Sequence, residues 1–201
     1  MGFDAVVIGA SSGGIQTLSR VLEALPQDFA APILVVQHTG ATKTYLAEIM
    51  GRRARLSVKL AVQGERFVPG TVYIAPPGRH LEVSTIGRCR LRDGERVSHA
   101  RPSADVLFRT AAKRFGSKTL AVILTGFLCD GTAGARNVRR CGGMVIAQDP
   151  ETCVAPGMPM SVIENGCANL VLAPTKIVDA LVSLVMVPGT RECLGFSSVA
   201  A

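Results

Sequence analysis

Residues 3–22 read FDAVVIGASSGGIQTLSRVL, and the fold turns on this stretch. Ala5 to Ile8 is a short apolar run, the pattern of a strand buried on both faces of a parallel sheet. Gly9-Ala10-Ser11-Ser12-Gly13-Gly14 follows, after which Ile15, Leu18, Val21 and Leu22 fall on one face at helical spacing. Strand, glycine-rich turn and helix in succession have two main uses. One is a nucleophile elbow, Gly-x-Ser-x-Gly, that lifts Ser11 into solvent above the sheet edge. The other is a phosphate cradle built from backbone N–H groups at the helix N-terminus. What the rest of the chain brings to the same edge decides between them.

Outward from this unit the pattern recurs. Ala31 to Gln37 is a second buried strand, ending on His38, and 41–53 is predicted helical with Leu46, Ile49 and Met50 inward. Ser57 to Ala61 alternates, Pro69-Gly70 turns the chain, and Thr71 to Ala75 is a strand closed by Pro76-Pro77-Gly78. His80 to Ser84 and Cys89 to Arg92 form a hairpin around Ile86-Gly87. Ser103 is placed as N-cap of a helix over 104–115, with Val106, Leu107, Ala111 and Phe115 on its apolar side. Thr119 to Thr125 is a further buried strand leading into Gly126–Gly131. A helix over 132–140, a strand over 143–147, a loop from Gln148 to Pro159, a strand over 169–172 and a helix over 175–187 complete the pattern. The predicted class is α/β: a doubly wound, mostly parallel sheet with helices on both faces and a small β-hairpin insertion. A chain of 201 residues can bury one good core, so one domain is expected over residues 1–188, followed by a flexible tail over 189–201.

Composition excludes several classes. No apolar run approaches the roughly 18 residues of a membrane span, and no basic n-region precedes the first strand, so a cytoplasmic monomer without membrane insertion is expected. The six cysteines make no C-x-x-C pair and no metal spacing; neither a metal nor a cofactor is predicted. Most of them read as small core hydrophobes, with Cys129 set apart by its neighbour Asp130. The net charge of +7 and pI near 9.4 suggest an acidic partner. Nucleic acid is not expected, because aromatic content is 4%, Trp is absent and the basic runs, such as Arg52-Arg53 and Arg139-Arg140, stop at two residues.

In doubly wound sheets, ligands and catalysis gather at the carboxyl ends of the strands, where strand order reverses. The first strand delivers Ser11 there, the second His38, the 119–125 strand Asp130, and the 143–147 strand Gln148 and Asp149. Each has an ordinary explanation alone: Ser11 or Asp130 as a helix cap, His38 as a loop histidine. Together a hydroxyl, an imidazole and a carboxylate at one edge supply the nucleophile, base and orienting acid of acyl transfer. His80 and His99 read as surface or structural residues, with His99 able to flank the site. Because no histidine follows Asp130, the order Ser…His…Asp departs from the α/β-hydrolase order.

These residues carry a family resemblance. VVIGASSGG (6–14), VVQH (35–38), PGTVYIAPPGRHLEV (69–83), RPSADVLF (101–108), LTGxxxDG (124–131) and AQDxxTCVxxGMP (147–159) resemble the catalytic domain of chemotaxis protein-glutamate methylesterases of the CheB type. The resemblance covers about residues 4–181. It implies a hydrolase that removes methyl esters from glutamate side chains of chemoreceptors and deamidates certain receptor glutamines. It further implies Ser11 as nucleophile, His38 as general base and Asp130 as its orienting acid. Ser12 and Phe127 would be the backbone oxyanion donors, with Met158 contacting substrate and a methyl-accepting chemoreceptor as the protein partner. The family's usual receiver domain is not in this chain, so activity is expected to be ungated or gated by a partner, unless the sequence is a fragment.

One departure stands out. The family usually reads Thr-Gly-Met-Gly-x-Asp-Gly where this chain has Thr125-Gly126-Phe127-Leu128-Cys129-Asp130-Gly131. If the position of Leu128 needs a positive φ, leucine is strained there by roughly 1–2 kcal/mol. A displaced donor would lower the rate about 10²–10³-fold. Two rivals are thereby framed. A short-chain dehydrogenase needs Tyr-x-x-x-Lys, but Ile49 and Pro77 stand four residues after Tyr45 and Tyr73. A catalytically weakened receptor-binding module would keep the scaffold and lose the oxyanion loop.

Overall fold

A computed structural model of the protein describes residues 2–40 and 44–193. In chain order the strands are β1 (Ala5–Ala10), β2 (Ile33–Gln37), β3 (Ser57–Leu60), β4 (Thr71–Ile74), β5 (His80–Val83), β6 (Cys89–Arg92), β7 (Thr119–Ile123), β8 (Met144–Gln148) and β9 (Leu170–Leu172). The helices are α1 (Gly14–Ala24), α2 (Leu46–Gly51), α3 (Ala104–Phe115), α4 (Thr132–Arg140), α5 (Gly157–Glu164), α6 (Pro174–Met186) and α7 (Thr190–Cys193). Among the described residues, seven strands form one parallel sheet in the order β3-β4-β2-β1-β7-β8-β9, and β5 and β6 pair separately as an antiparallel hairpin. This is the doubly wound α/β architecture expected from the sequence.

The continuous apolar runs follow from burial on both faces. Along β1, Val6 and Ile8 point into one core with Leu18, Leu22, Leu181 and Ile177 of α1 and α6. Val7 points into the other, with Leu107 and Phe108 of α3, Val138 of α4 and Val162 of α5. Each such side chain contributes about 1.5–3 kcal/mol on burial, so alternate residues are apolar for different helical layers.

The chain leaves β1 in one direction toward β2 and β4 and later in the other toward β7 and β8. That reversal opens a crevice over the carboxyl ends of β1 and β7. Gly9 is level with Val36 on one side and Ile123 on the other, so the segments after all three strands emerge together. Backbone bonds extend this register past the strand ends: His38 N donates to Ala10 O and Ser11 N to Thr125 O, both at 2.9 Å.

The structure differs from the sequence reading in several places, among them the cysteines: Cys89 and Cys167 are buried in the core, whereas Cys129, Cys141 and Cys193 are exposed. Helix α2 begins at Leu46, and residues 41–43 of the expected helix lie outside the described residues. Its inward face is Leu46, Ala47 and Met50, which leaves Ile49 49% exposed. Ile15, in the first turn of α1, also sits at the solvent edge of its stripe. The stretch expected to be loop up to Pro159 turns into α5 at Gly157, because a proline in the first turn of a helix gives up no intrahelical bond. In the expected tail, Thr190–Cys193 form the one-turn α7, and residues 194–201 lie outside the described residues.

Candidate active site

Ser11 follows β1, and His38 follows β2. Both line a cleft of about 240 Å³ with Asp130, Phe127, Leu128, Arg96 and His99 among its walls. A second hollow, which also includes Ser11 and His38, is lined by Ser12, Gly13, Ile15 and Gln37. Ser11 is thus a partly exposed residue that lines both hollows, in keeping with a nucleophile elbow. The amide of Gln37 ties the two segments together, Nε2 donating to the carbonyls of Ser11 at 2.8 Å and His38 at 3.0 Å.

His38 Nε2 lies 2.8 Å from Asp130 Oδ2; the imidazole is 21% exposed and the carboxylate 2%. Asp130 has further donors: Ser103 Oγ to Oδ1 at 2.7 Å, Ala104 N to Oδ2 at 2.7 Å, and Asp105 N to Oδ1 at 3.1 Å. Burial alone would raise its pKa, but hydrogen bonds from His38, Ser103 and the Ala104 and Asp105 amides outweigh that and hold the carboxyl below its usual range. An ionised carboxylate only accepts, so His38 donates through Nε2–H and its Nδ1 is left as the proton acceptor. Among the described residues Ser11 joins this pair as a neighbour in the cleft rather than through a hydrogen bond of its side chain, and catalytic bonds of this kind commonly tighten only when substrate binds.

Ser103 sits at the N-cap of α3 as the sequence suggests, but its hydroxyl does not cap the helix. The carboxylate of Asp130 accepts the helix's first N–H groups instead, and Ser103 turns its hydroxyl toward that carboxylate. Asp130 therefore is a cap, though of α3 and not of the helix that follows it. Helix α4 is capped by Asp105, whose Oδ1 accepts from Gly131 N at 3.0 Å and Gly134 N at 2.7 Å. Ser98 Oγ donates to Asp105 Oδ2 at 2.7 Å. Burial, assisted by the neighbouring Asp130 charge, raises the Asp105 carboxyl against these three donors. Sequence reading passed over Asp105; the available signal was an acid on the buried stripe of an amphipathic helix, between Ala104 and Val106.

The backbone N–H groups of Ser12 and Phe127, the expected oxyanion donors, have no hydrogen-bond partner among the described residues. The loop carrying Phe127 is fixed from below. Gly126 N donates to Ala155 O at 2.8 Å, Met158 N to Gly126 O at 2.9 Å, and Thr125 Oγ1 bridges Ser12 O and Ala155 O. Gln148, which the sequence also brings to this edge, accepts from Thr125 N at 2.9 Å, while Asp149 caps the short turn after β8. Gly126 must be glycine: a Cβ there would lie 2.7 Å from Ser11 Cβ and against Met158 Sδ.

Met158, expected to contact substrate, is fully buried and packs beneath Gly126, outside both hollows. In this structure Met158 forms the floor of the loop. Leu128 adopts φ 63°, in the left-handed region that the glycine in the family pattern would favour. Its side chain is 65% exposed, beside Phe127 at 64%. The described non-glycine residues with positive φ are Leu128, Ser98 and His99, and all of them line the cleft around Ser11. Backbone strain at one cleft is the pattern of a functional site. His80, by contrast, is wholly buried and bonds to Glu95 O.

The family model for CheB methylesterases matches residues 6–181. The chain belongs to the CheB methylesterase family. The solved catalytic domain of CheB methylesterase from Thermotoga maritima superposes with a TM-score of 0.87 at 45% identity, covering 92% of this chain and 100% of that one. A Thermotoga maritima relative named protein-glutamate methylesterase/protein-glutamine glutaminase is 46% identical over 185 residues, 90% of this chain and 54% of the relative. A Leptospira interrogans relative with the same name, marked putative, is 38% identical and is covered over 96% of its length. This CheB-family chain thus spans about half of the Thermotoga relative and nearly all of the Leptospira one.

Among the described residues, no group of His, Cys, Asp and Glu is arranged to hold a metal ion, and no helix is long and apolar enough to cross a membrane.

Proposed function

We propose that this protein is a serine hydrolase that removes methyl esters from glutamate side chains of methyl-accepting chemoreceptors and deamidates receptor glutamines. The observation that carries this reading is the His38–Asp130 pair beside Ser11 in one cleft, on a fold of the CheB methylesterase family. Ser11 Oγ attacks the side-chain carbonyl as His38 Nδ1 takes its proton. The tetrahedral oxyanion is held by the N–H groups of Ser12 and Phe127, near the positive end of α1. His38 then protonates the departing methoxide, and methanol leaves. A water deprotonated by His38 attacks the acyl-enzyme, and Ser11 is regenerated as the glutamate carboxylate departs. For glutamine the leaving group is ammonia. Asp130 stays ionised throughout, fixing the imidazole tautomer and stabilising the imidazolium.

The proposed partner is the cytoplasmic domain of a chemoreceptor, approached through the protein's positive surface, and the protein acts in the cytoplasm as a monomer in chemotactic signal transduction. The test is methanol release from methylated receptor membranes by wild type and Ser11→Ala. Release by the wild type and none by the variant is the expected result. A folded Ser11→Ala protein with undiminished release would remove Ser11 as nucleophile.

A further inference from the structure

The mechanism gives Asp105 no part, yet the walls of the site meet on its side chain. Its carboxylate holds the N-terminus of α4 through Gly131 and Gly134, and Asp130 directly precedes Gly131. Its own backbone N–H donates to Asp130 Oδ1. Ser98 ties the cleft-lining loop to the other oxygen of the same carboxylate. That loop is a tight turn closed by reciprocal Val97–Ala100 backbone bonds at 3.0 Å, with Ser98 and His99 both at positive φ.

We propose that Asp105 is a positioning residue for Asp130: the two carboxylates exchange helix caps, Asp130 onto α3 and Asp105 onto α4, and the exchange sets Asp130 at hydrogen-bonding distance from His38. Asp130 can leave the imidazole only by releasing the amides of Ala104 and Asp105 or by dragging α4 with it. The first route leaves buried donors unpaired, and the second is blocked by Asp105. Helices α3 and α4 are also in near backbone contact at this point, since a Cβ on Gly134 would lie 3.0 Å from Asp105 Cα. Little slack remains between the tie and the acid it positions. The Ser98 bond carries the same constraint to the cleft wall, so the loop beside the substrate and the acid behind the base share one anchor.

The inference rests on the reading of Ser11, His38 and Asp130 as the catalytic group, and its test separates the two. Asp105→Ala should lower kcat for methanol release by about 10- to 100-fold, the scale of a small misplacement in a catalytic group, with KM unchanged. Asp105→Asn keeps an oxygen acceptor for the Gly131 and Gly134 amides and should restore most of the loss. In an Asp130→Asn background, followed over long incubations, the same Asp105→Ala change should cost less than about twofold, because a residue acting through Asp130 has nothing left to position. An equal loss in both backgrounds, or a loss confined to KM, would overturn the proposal. Should Asp105→Ala not fold, Ser98→Ala carries the same cycle with a smaller factor, removing a single donor from the anchor. Undiminished release by Ser11→Ala would strike the catalytic reading; an inert Ser11→Ala with an additive cycle would strike only the role of Asp105.

Discussion

Replacing Asp130 by alanine should cost stability as well as activity. The carboxylate is 2% exposed and receives Ser103 Oγ, Ala104 N, Asp105 N and His38 Nε2. The first three donors come from the buried start of α3. Loss of a helix cap costs about 1 kcal/mol, and each buried donor left unpaired costs about 1–3 kcal/mol. With water entering the vacated space to recover part of this, the sum is about 4 kcal/mol, or a fall in Tm of roughly 8–16 °C for a domain of this size. Asp130→Asn keeps one acceptor and the packing, so about half of that is expected. Ser11→Ala, at a partly exposed site, should stay within about 0.5 kcal/mol of wild type. The pH dependence has a definite sign. The folded carboxyl titrates below its unfolded value near 3.9, so its contribution is fully present above about pH 4 and is lost as pH falls through the lower folded value. The gap between wild type and Asp130→Ala should therefore narrow as the pH is lowered from about 5 through the carboxyl's folded range. Urea unfolding across that range, alongside methanol release at pH 7, measures both effects. An Asp130→Ala protein within about 1 kcal/mol of wild type would refute the capping argument.

Three further outcomes are expected. Leu128→Gly relieves roughly 1–2 kcal/mol of left-handed strain but adds about 0.5–1 kcal/mol of chain entropy, so thermal unfolding should show a net gain below about 1.5 kcal/mol with methanol release retained. A loop that collapses without its leucine would show instead as lost release. Gly126→Ala drives a methyl group against Ser11 and Met158 and should cost about 1–3 kcal/mol, and about 10²-fold in methanol release through the displaced Phe127 donor. Brief iodoacetamide treatment at pH 8, read by peptide mass, should label exposed Cys129 while sparing Cys89 and Cys153, whose thiols burial pushes up to about 12 and about 11; labelling of Cys89 at the rate of Cys129 would contradict that burial.

The sheet was legible because parallel strands buried on both faces leave continuous apolar runs, and Ala5–Ile8, Ala31–Gln37 and Thr119–Ile123 are such runs. The edge carrying Ser11, His38 and Asp130 followed from the rule for strand ends, without any knowledge of strand order. Helix α5 was obscured by Pro156 and Pro159, which mark loops in sequence but are compatible with a helix start. Ile49 misled because one apolar residue too many lies along a short helix, and Ala47 takes the inward place. Which helix each carboxylate of Asp105 and Asp130 caps, and that Ser103 turns to Asp130, was not readable. Ser and Asp at helix starts announce capping, but which helix a carboxylate caps depends on where a second helix begins, a fact of tertiary geometry. The burial of Met158 was hidden for a related reason: nearness in sequence to the substrate loop says nothing about which side of its backbone a side chain occupies.

The exchange of caps between α3 and α4 makes the members of the constellation unequal under mutational drift. Ser11 is expected to be replaceable with little harm to the fold, whereas Asp130 is held by the scaffold as much as by the chemistry. A lineage released from selection for ester hydrolysis would lose its serine first and keep the aspartate long afterwards, as a structural relic. The persistence of that acid in a distant descendant would then testify to the architecture alone, and the serine would be the residue to inspect for a living enzyme.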